Sequence, residues 1–570
     1  GRSSVKDAFG VTRTYEYQPL RGRARGMDTT QASALGADGN AVASQSFNAD
    51  SLLQSQTDFL GITTLFTWDA ARRLKLAETR AASRPEAQTV QTEWHPTLRL
   101  PVLVTEAGRS TAYTYDALGN KLSEVVTDLA TGQTRSQSWA YNAQGLVAST
   151  TDARGGSWTF AYDAQGNRTR QRNPLGHETQ WQHDAAGRVT QQTEPNGLVT
   201  TFTWDARGRL TQANRGGEVT AYTYTPAGLL ASATLPNGHA ISYQYDAAQR
   251  LTAATDNRGN IVQYTLDGMG NRVREEVKDA NGAIALVTSR VINSLNRVAA
   301  IQGAVGQTTA LGYDANGEPV SQTDPLNQTT RQALDGLRRP TATTFADNTA
   351  ASQAWNALDQ LTQVTDPKGV ATQYTRNAFG EVLSEASPDT GTTAYQRDAA
   401  GDVAAMTDAR GITTQITRDA LGRPVQASRG AAHQTVYTWD TQQTGYLARV
   451  EDASGSTAWE RDAQGRVLRK TQRVNDNPAN PASFVTAYSY AGGELASITY
   501  PSGLKVHYQC NAAGQISGIN TQLPGRNRPV TPFITSLTHT ALGQPKAWAW
   551  ASGDSASRSF DADGRMVSNE

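Results

Sequence analysis

Apolar and polar side chains alternate with a period of two along most of this chain. In Trp158-Thr-Phe160-Ala-Tyr162 the three aromatics fall on one face, and Thr159 and Ala161 on the other. Phe202 with Trp204, and Tyr243 with Tyr245, repeat the pattern. A period of two is the signature of β-strands. Each alternating run lasts about six or seven residues, roughly 20 Å of strand, before a turn stops it. Two turn types recur. One follows the aromatic and reads Asp-Ala-x-Gly, as in Asp163–Gly166, Asp205–Gly208 and Asp419–Gly422. We call it the aromatic-Asp turn. The other, the linking turn, reads Asp/Asn-x-x-Gly, as in Asp152–Gly155, Asn173–Gly176, Asp366–Gly369 and Asp408–Gly411. Both fit a type I turn: Asp or Asn caps the first position, and Gly takes the positive φ that closes a bulged hairpin. The chain therefore reads as one long meander of antiparallel hairpins.

The hairpins repeat. Tyr162-Asp163, His183-Asp184, Trp204-Asp205, Tyr224, Tyr245-Asp246 and Leu266-Asp267 are 20 or 21 residues apart. From Tyr313-Asp314 through Leu334, Trp355, Arg376, Arg397 and Arg418 to Trp439-Asp440 every step is 21. Such a fixed period marks a repeat architecture rather than a set of separate domains. Residues 1–46 lack a clean copy and are expected to be an irregular N-terminal segment at the start of the array, which then runs over 47–570. Loop insertions are expected near 78–100, 274–291, 472–486 and 520–534. We assign structural roles to the aromatics Tyr115, Tyr162, Trp204, Tyr245, Tyr313, Trp355 and Trp439, stacked between hairpins. The same holds for the turn residues Asp163, Gly166, Asp205, Gly208, Asp366, Gly369, Asp419 and Gly422.

Composition narrows the function. Lys+Arg and Asp+Glu are equal at 52 each, so no basic excess favours nucleic acid. Apolar content is 38%, low for a solid core but suited to a thin sheet wetted on two faces. No apolar run reaches the length of a membrane-spanning helix. The single cysteine, Cys510, excludes an internal disulfide framework and reads as a small packing residue in an aromatic slot. The seven histidines show no ligand spacing, and His183 also fills an aromatic slot. Asp38-Gly39-Asn40 and Asp561-Ala562-Asp563-Gly564 faintly resemble calcium loops without the full ligand set, so turn chemistry is the simpler reading. The many aspartates sit at turn positions, and no carboxylate pair stands out for acid–base work. We expect no catalytic residues, no cofactor and no metal. The row of aromatics could also bind sugars or line a lumen.

The motif Trp204-Asp-Ala-Arg-Gly-Arg-Leu210, with Tyr245-Asp-Ala-Ala-Gln-Arg-Leu251 and the preceding Thr-Asp-x-x-Gly turns, resembles the YD repeat of the Rhs family. That family takes in bacterial Rhs polymorphic toxins, the C component of Tc toxins, and animal teneurins. The resemblance implies an all-β fold: a long spiral antiparallel β-sheet of about 21-residue hairpin repeats forming a hollow shell, or β-cocoon. It also implies an encapsulation shell that holds a C-terminal toxin until delivery, often by type VI secretion. The expected partners are that toxin cargo, outside this chain, and delivery spike proteins met through a missing N-terminal region. The expected location is the bacterial cytoplasm before export and then the target cell. A surface adhesion or carbohydrate-binding YD-repeat protein is the alternative. The self-cleavage core of family toxins is not found; Asp324-Pro325-Leu326-Asn327 and Asp366-Pro367-Lys368-Gly369 read as repeat turns. About 44 strands at roughly 4.8 Å spacing would wrap a small cargo about one and a half times, leaving an end open.

Overall fold

The computed structural model describes residues 1–7, 10, 12–32, 40–431, 433–476 and 481–570. Among them there are 51 β-strands and no helix, arranged as one antiparallel sheet. Two compact units are distinguished. One holds 1–157, 290–301 and 307–415; the other holds 158–289, 302–306 and 416–570. In each, every strand pairs with the next in sequence.

The repeat around Trp204 shows why these residues form this element. Strand Val199–Trp204 exposes Thr201 and Thr203 on one face and half-buries Phe202 and Trp204 on the other. The Gly208 N–H donates to the Asp205 carbonyl at 3.0 Å, and the Asp205 N–H to the Arg209 carbonyl at 2.9 Å. Asp205 Oδ1 accepts the N–H groups of Arg207 and Arg209, each at 2.9 Å. Gly208 has φ 77°, a conformation that costs glycine least. The register slips by one residue between Thr203 and Trp204, the bulge that this turn requires. Asp163–Gly166, Asp366–Gly369 and Asp419–Gly422 close with the same Gly N–H to Asp carbonyl bond, at 3.1, 3.0 and 3.0 Å. Asp324–Asn327 also closes this way, with Asn327 taking the left-handed φ. On the exposed face, hydroxyls pair between neighbouring strands: Thr223 with Ser232 and Thr375 with Ser384, both at 2.6 Å.

Three expectations are corrected. The described residues of 1–46 are mostly not irregular: Arg2–Lys6, Thr12–Leu20, Arg23–Ala32 and Asn40–Phe47 are strands of the sheet. Their hairpin from Leu20 to Arg23 uses a two-residue turn, Arg21-Gly22, with positive φ at both positions. It therefore carries no Asp-x-x-Gly code. The insertions are mostly lengthened strands, because extra residues extend the ladder before the turn. Arg272–Lys278 pairs with Ile284–Ile292, and Leu74–Ala82 with Gln88–Trp94. Val467–Val474 pairs with Ala482–Ala491, and Ile516–Gln522 with Val530–His539. Among the described residues the strand count is 51 rather than about 44, and four of these strands lie in the N-terminal stretch. Asp38-Gly39 and residues 477–480 lie outside the described residues.

The sheet is one layer thick. Among the described residues the buried apolar ones are mostly small alanines, Ala81 at 1% exposure the most buried of them, with scattered leucines and valines.

Candidate functional site

The side chains that organise this protein sit at the two rims of the sheet, where the turns are. Consecutive aromatic-Asp turns are tied by the aromatic itself. The indole N–H groups of Trp204, Trp355 and Trp439 donate to the carbonyls of Val189, Pro340 and Pro424 at 2.8, 2.7 and 2.8 Å. The hydroxyls of Tyr115, Tyr245 and Tyr313 donate to those of Pro101, Leu230 and Val298 at 2.8, 2.9 and 2.8 Å. Tyr162 is half-buried and cross-strand from Arg168. Each acceptor lies just after the preceding aromatic-Asp turn, so the bond closes the gap between neighbouring hairpins. Arginine can replace the aromatic because it carries the same donor. Arg376 Nε reaches Leu361 O at 2.7 Å, and Arg397 Nη2 reaches Val382 O at 2.7 Å. We predict that Trp355→Phe, which keeps the ring and loses the donor, destabilises its hairpin by about 1 kcal/mol. Hydrogen exchange across 340–361 would read this, and unchanged protection would contradict it.

The residue after the turn Gly completes the clamp. Arg209 Nε bonds Asp205 Oδ2 at 2.7 Å, and the guanidinium lies 4.5 Å from the Tyr224 ring centre. Arg423 does the same with Asp419 at 2.7 Å and stacks 4.7 Å from Trp439. It also reaches Asp440 at 2.6 Å, linking one turn to the next. These contacts hold the turn carboxylates charged. The Arg188 side chain, then its backbone N–H, keeps Asp184 below the ordinary aspartate range. Backbone N–H groups do so first for Asp205 and Asp246, and the side-chain amides of Asn120 and Asn167 for Asp116 and Asp163. Low-pKa carboxylates fixed by arginine and backbone are turn caps, poorly suited to proton transfer near neutral pH.

The second feature lies at the rims themselves. In the first unit, linking turns of residues 31–154 dock against aromatic-Asp turns of residues 315–402. Gln31 Nε2 donates to the Ala315 carbonyl at 3.0 Å. Asp58 Oδ2 accepts from Asn316 Nδ2 at 2.7 Å, and Glu86 Oε1 from the Gly336 N–H at 2.6 Å. Asp128 Oδ2 accepts the Ala378 N–H at 2.9 Å, while its Oδ1 caps its own turn. Arg135 pairs with Glu381 at 2.5 Å and lies 4.1 Å from the Phe379 ring centre. Arg154 Nη2 bridges Asp398 and Asp402 at 2.8 and 2.6 Å. The second unit has its own seam. His177 faces Asp440 at 3.7 Å, Asn196 Nδ2 donates to Ala463 O at 3.0 Å, and Arg466 pairs with Glu218 at 2.5 Å. There Asn237 meets Glu494 at 3.1 Å, and Asp563 accepts the Ala304 N–H at 2.7 Å. So the Asp561–Gly564 stretch is a docked turn, and no metal-holding cluster of His, Cys, Asp or Glu occurs among the described residues.

The docking explains one letter of the repeat. The Ala of Asp-Ala-x-Gly is the seam residue: Ala315 and Ala378 are buried, and their backbones take the facing side chains. At Gly336 a β-carbon would lie 2.6 Å from Glu86 Oε1. Asp359 occupies a turn position where Gly is usual, at φ 59°, and meets Gln88 at 2.5 Å and Arg339 at 2.9 Å. None of these seam residues stands out in the sequence, because the partners are 244 to 284 residues apart. One signal does exist. Ser55-Gln-Thr-Asp58 recurs as Ser321-Gln-Thr-Asp324. Cys510 is exposed rather than packed. Its thiol is nevertheless held above its usual value, by desolvation first and by Glu494 second, which disfavours the reactive thiolate.

An antiparallel meander of clamped hairpins, docked rim to rim, defines a β-repeat protein without a solid core. Residues 105–274 match the family described as Teneurin YD-shell, and residues 313–350 and 355–393 match the RHS Repeat. These matches, over less than half of the chain, make it similar to Rhs/YD-repeat proteins. Comparison with curated proteins gives no match. Among solved structures it is similar to the TcdB2-TccC3-Cdc42 complex, with TM-score 0.72 and 12% identity, covering 100% of this chain and 42% of that one. TcdB2-TccC3 without its hypervariable C-terminal region gives the same values. The Photorhabdus luminescens Tc holotoxin pore with a TccC3 variant gives TM-score 0.67 and 13% identity, covering 98% and 40%. At these identities the likeness is one of fold. The chain spans about two fifths of the length of these structures.

Proposed function

We propose that this chain is wall: part of a non-catalytic encapsulating shell of a secreted toxin. It would enclose a C-terminal toxin domain until delivery, with type VI secretion as the export route. The observation that carries the reading is a sheet one layer thick that docks on itself by its rims. A compact protein of this length would expose about 20,000 Å²; this chain exposes 31114 Å². An adhesion scaffold or an enzyme gains nothing from leaving both faces of so long a sheet uncovered, whereas a container wall needs two faces. Rim docking at a constant offset is what a ribbon does when it winds back on itself. The carboxylates that might have served catalysis are engaged as turn caps and seam partners. Similarity in fold to TccC3-containing toxin structures adds support.

The test is protection of a cargo. A protease-sensitive reporter domain of about 100 residues, with a radius of gyration near 13 Å, is fused after Glu570 of the full chain. A shell predicts that the reporter resists protease until the wall is unfolded by denaturant. Digestion at the rate of the free reporter, with the wall intact, would overturn the proposal.

A further inference from the structure

Asn is followed by Gly four times in this chain, at Asn196, Asn237, Asn281 and Asn316. Each pair fills the third and fourth positions of a turn: Glu194–Gly197, Leu235–Gly238, Asp279–Gly282 and Asp314–Gly317. The turns are alike. Their closing bonds, from the Gly N–H to the first carbonyl, measure 2.9, 2.9, 2.9 and 3.1 Å. Their glycines have φ 84°, 84°, 82° and 100°. They differ in where the Asn amide goes. Three of the amides belong to the seams. Asn196 Nδ2 donates to Ala463 O at 3.0 Å, Asn237 Nδ2 to Glu494 Oε1 at 3.1 Å, and Asn316 Nδ2 to Asp58 Oδ2 at 2.7 Å. Their Oδ1 atoms are held as well, accepting the N–H groups of Leu198, His239 and Phe59 at 3.0, 2.9 and 3.0 Å. Asn281 sits exposed at the tip of a lengthened hairpin, and among the described residues its side chain makes no hydrogen bond.

An Asn-Gly step is open to a reaction that needs only water. The glycine nitrogen, with no β-carbon beside it, attacks the Asn Cγ. An N–Cγ bond forms and the Cγ–Nδ2 bond breaks. The amide nitrogen takes the glycine proton and leaves as ammonia, closing a succinimide ring. Water then opens the ring at either carbonyl, giving aspartate or isoaspartate. For the attack the carboxamide must swing onto the glycine nitrogen. Seam contacts hold both of its polar atoms at Asn196, Asn237 and Asn316, and neither at Asn281. The product reverses the polarity of the contact. Where each Nδ2 donates, a carboxylate oxygen would face an acceptor: the Asp58 carboxylate, the Glu494 carboxylate or the Ala463 carbonyl. Two carboxylates at that distance cannot both stay ionised without repulsion. Isoaspartate also lengthens the turn backbone by a methylene.

We propose that Asn196, Asn237 and Asn316 are self-modification sites that act as one-way latches of the seam. Docking suppresses their deamidation; a seam that opens deamidates and cannot dock again. The inference is independent of the encapsulation reading.

Peptide mapping by mass spectrometry tests the first half, on the folded full chain held at mildly alkaline pH. Asn281 is expected to convert several-fold faster than the three seam asparagines, and all four to converge in denaturant. Glu494→Ala should speed conversion of Asn237 several-fold and leave Asn316 unchanged. Equal rates at all four sites in the folded chain would overturn the proposal, as would a Glu494→Ala chain in which Asn237 converts no faster. The second half is read at the Phe59 amide, which Asn316 Oδ1 accepts. Asn316→Asp should speed its hydrogen exchange several-fold. The swapped pair, Asn316→Asp with Asp58→Asn, should restore protection, because donor and acceptor face each other again. Protection unchanged by Asn316→Asp alone would mean that the product docks again. Protection that the swap fails to restore would trace the loss to the turn rather than to seam polarity. Either result sinks the latch.

Discussion

Replacing Asp128 with Ala is expected to cost about 2–3 kcal/mol, the range for a charge-assisted hydrogen bond whose loss strands a buried partner. Asp128 is only 3% exposed and serves two masters. Oδ1 accepts the N–H groups of Ala130 and Thr131 in its own turn, and Oδ2 accepts the buried Ala378 N–H across the seam. That seam bond is the foremost reason its carboxyl sits below the ordinary aspartate range. In the alanine variant the Ala378 amide should exchange with solvent about 100-fold faster, since 1.4 kcal/mol is a factor of ten. Asp128→Asn retains one acceptor and should lose less. If Ala378 exchange is unchanged in the alanine variant, the seam is not held by this residue.

Acid should unfold the protein cooperatively, and the sign follows from the turn carboxylates. Asp116, Asp163, Asp184, Asp205, Asp246 and Asp561 all have folded values lowered from 3.8. A lowered folded value means stability that is complete above the unfolded pKa and lost as pH falls through the folded one. Little change is therefore expected down to about pH 4, followed by a steep loss below it as many turns protonate together. Protonation also leaves 52 Lys and Arg side chains unopposed. Circular dichroism from pH 6 to 2 reads this directly. A signal flat through that range would mean that the caps contribute little.

The fold was legible wherever a residue's partners lie within its own hairpin. Asp205, Gly208 and Arg209 specify their turn within five positions, so alternation plus turn chemistry located the strands around them. Reading failed where the local code changes. The Arg21-Gly22 hairpin uses a shorter turn, and the Arg272–Lys278 hairpin simply lengthens its strands. The seam was hidden for a different reason. Arg154 looks like any solvated arginine until Asp398 and Asp402 are brought to it from more than 240 residues away. A single sequence carries no mark of that pairing. The aromatics were read as stacking residues, yet much of their work is a polar bond from the ring tip, as Trp355 to Pro340 shows.

The seam counts hairpins, not residues. Of the aromatic-Asp turns after Asn48, Asp314 is the twelfth, and the linking turn at Asp58 that follows Asn48 meets it; Asp462 is likewise the twelfth after Asp205, and Gly216 meets its neighbour Gln464. The residue offset drifts, but the hairpin offset does not. The two tiers mesh like gears, which makes phase a heritable property of the chain. Residues added at a hairpin tip leave the teeth aligned, and the chain carries several such extensions. Duplicating or deleting one whole repeat would advance every later tooth by one, mismatching Arg154, Asp128 and Glu86 at once. Growth of this sheet by gene duplication should therefore tolerate longer teeth far better than extra ones.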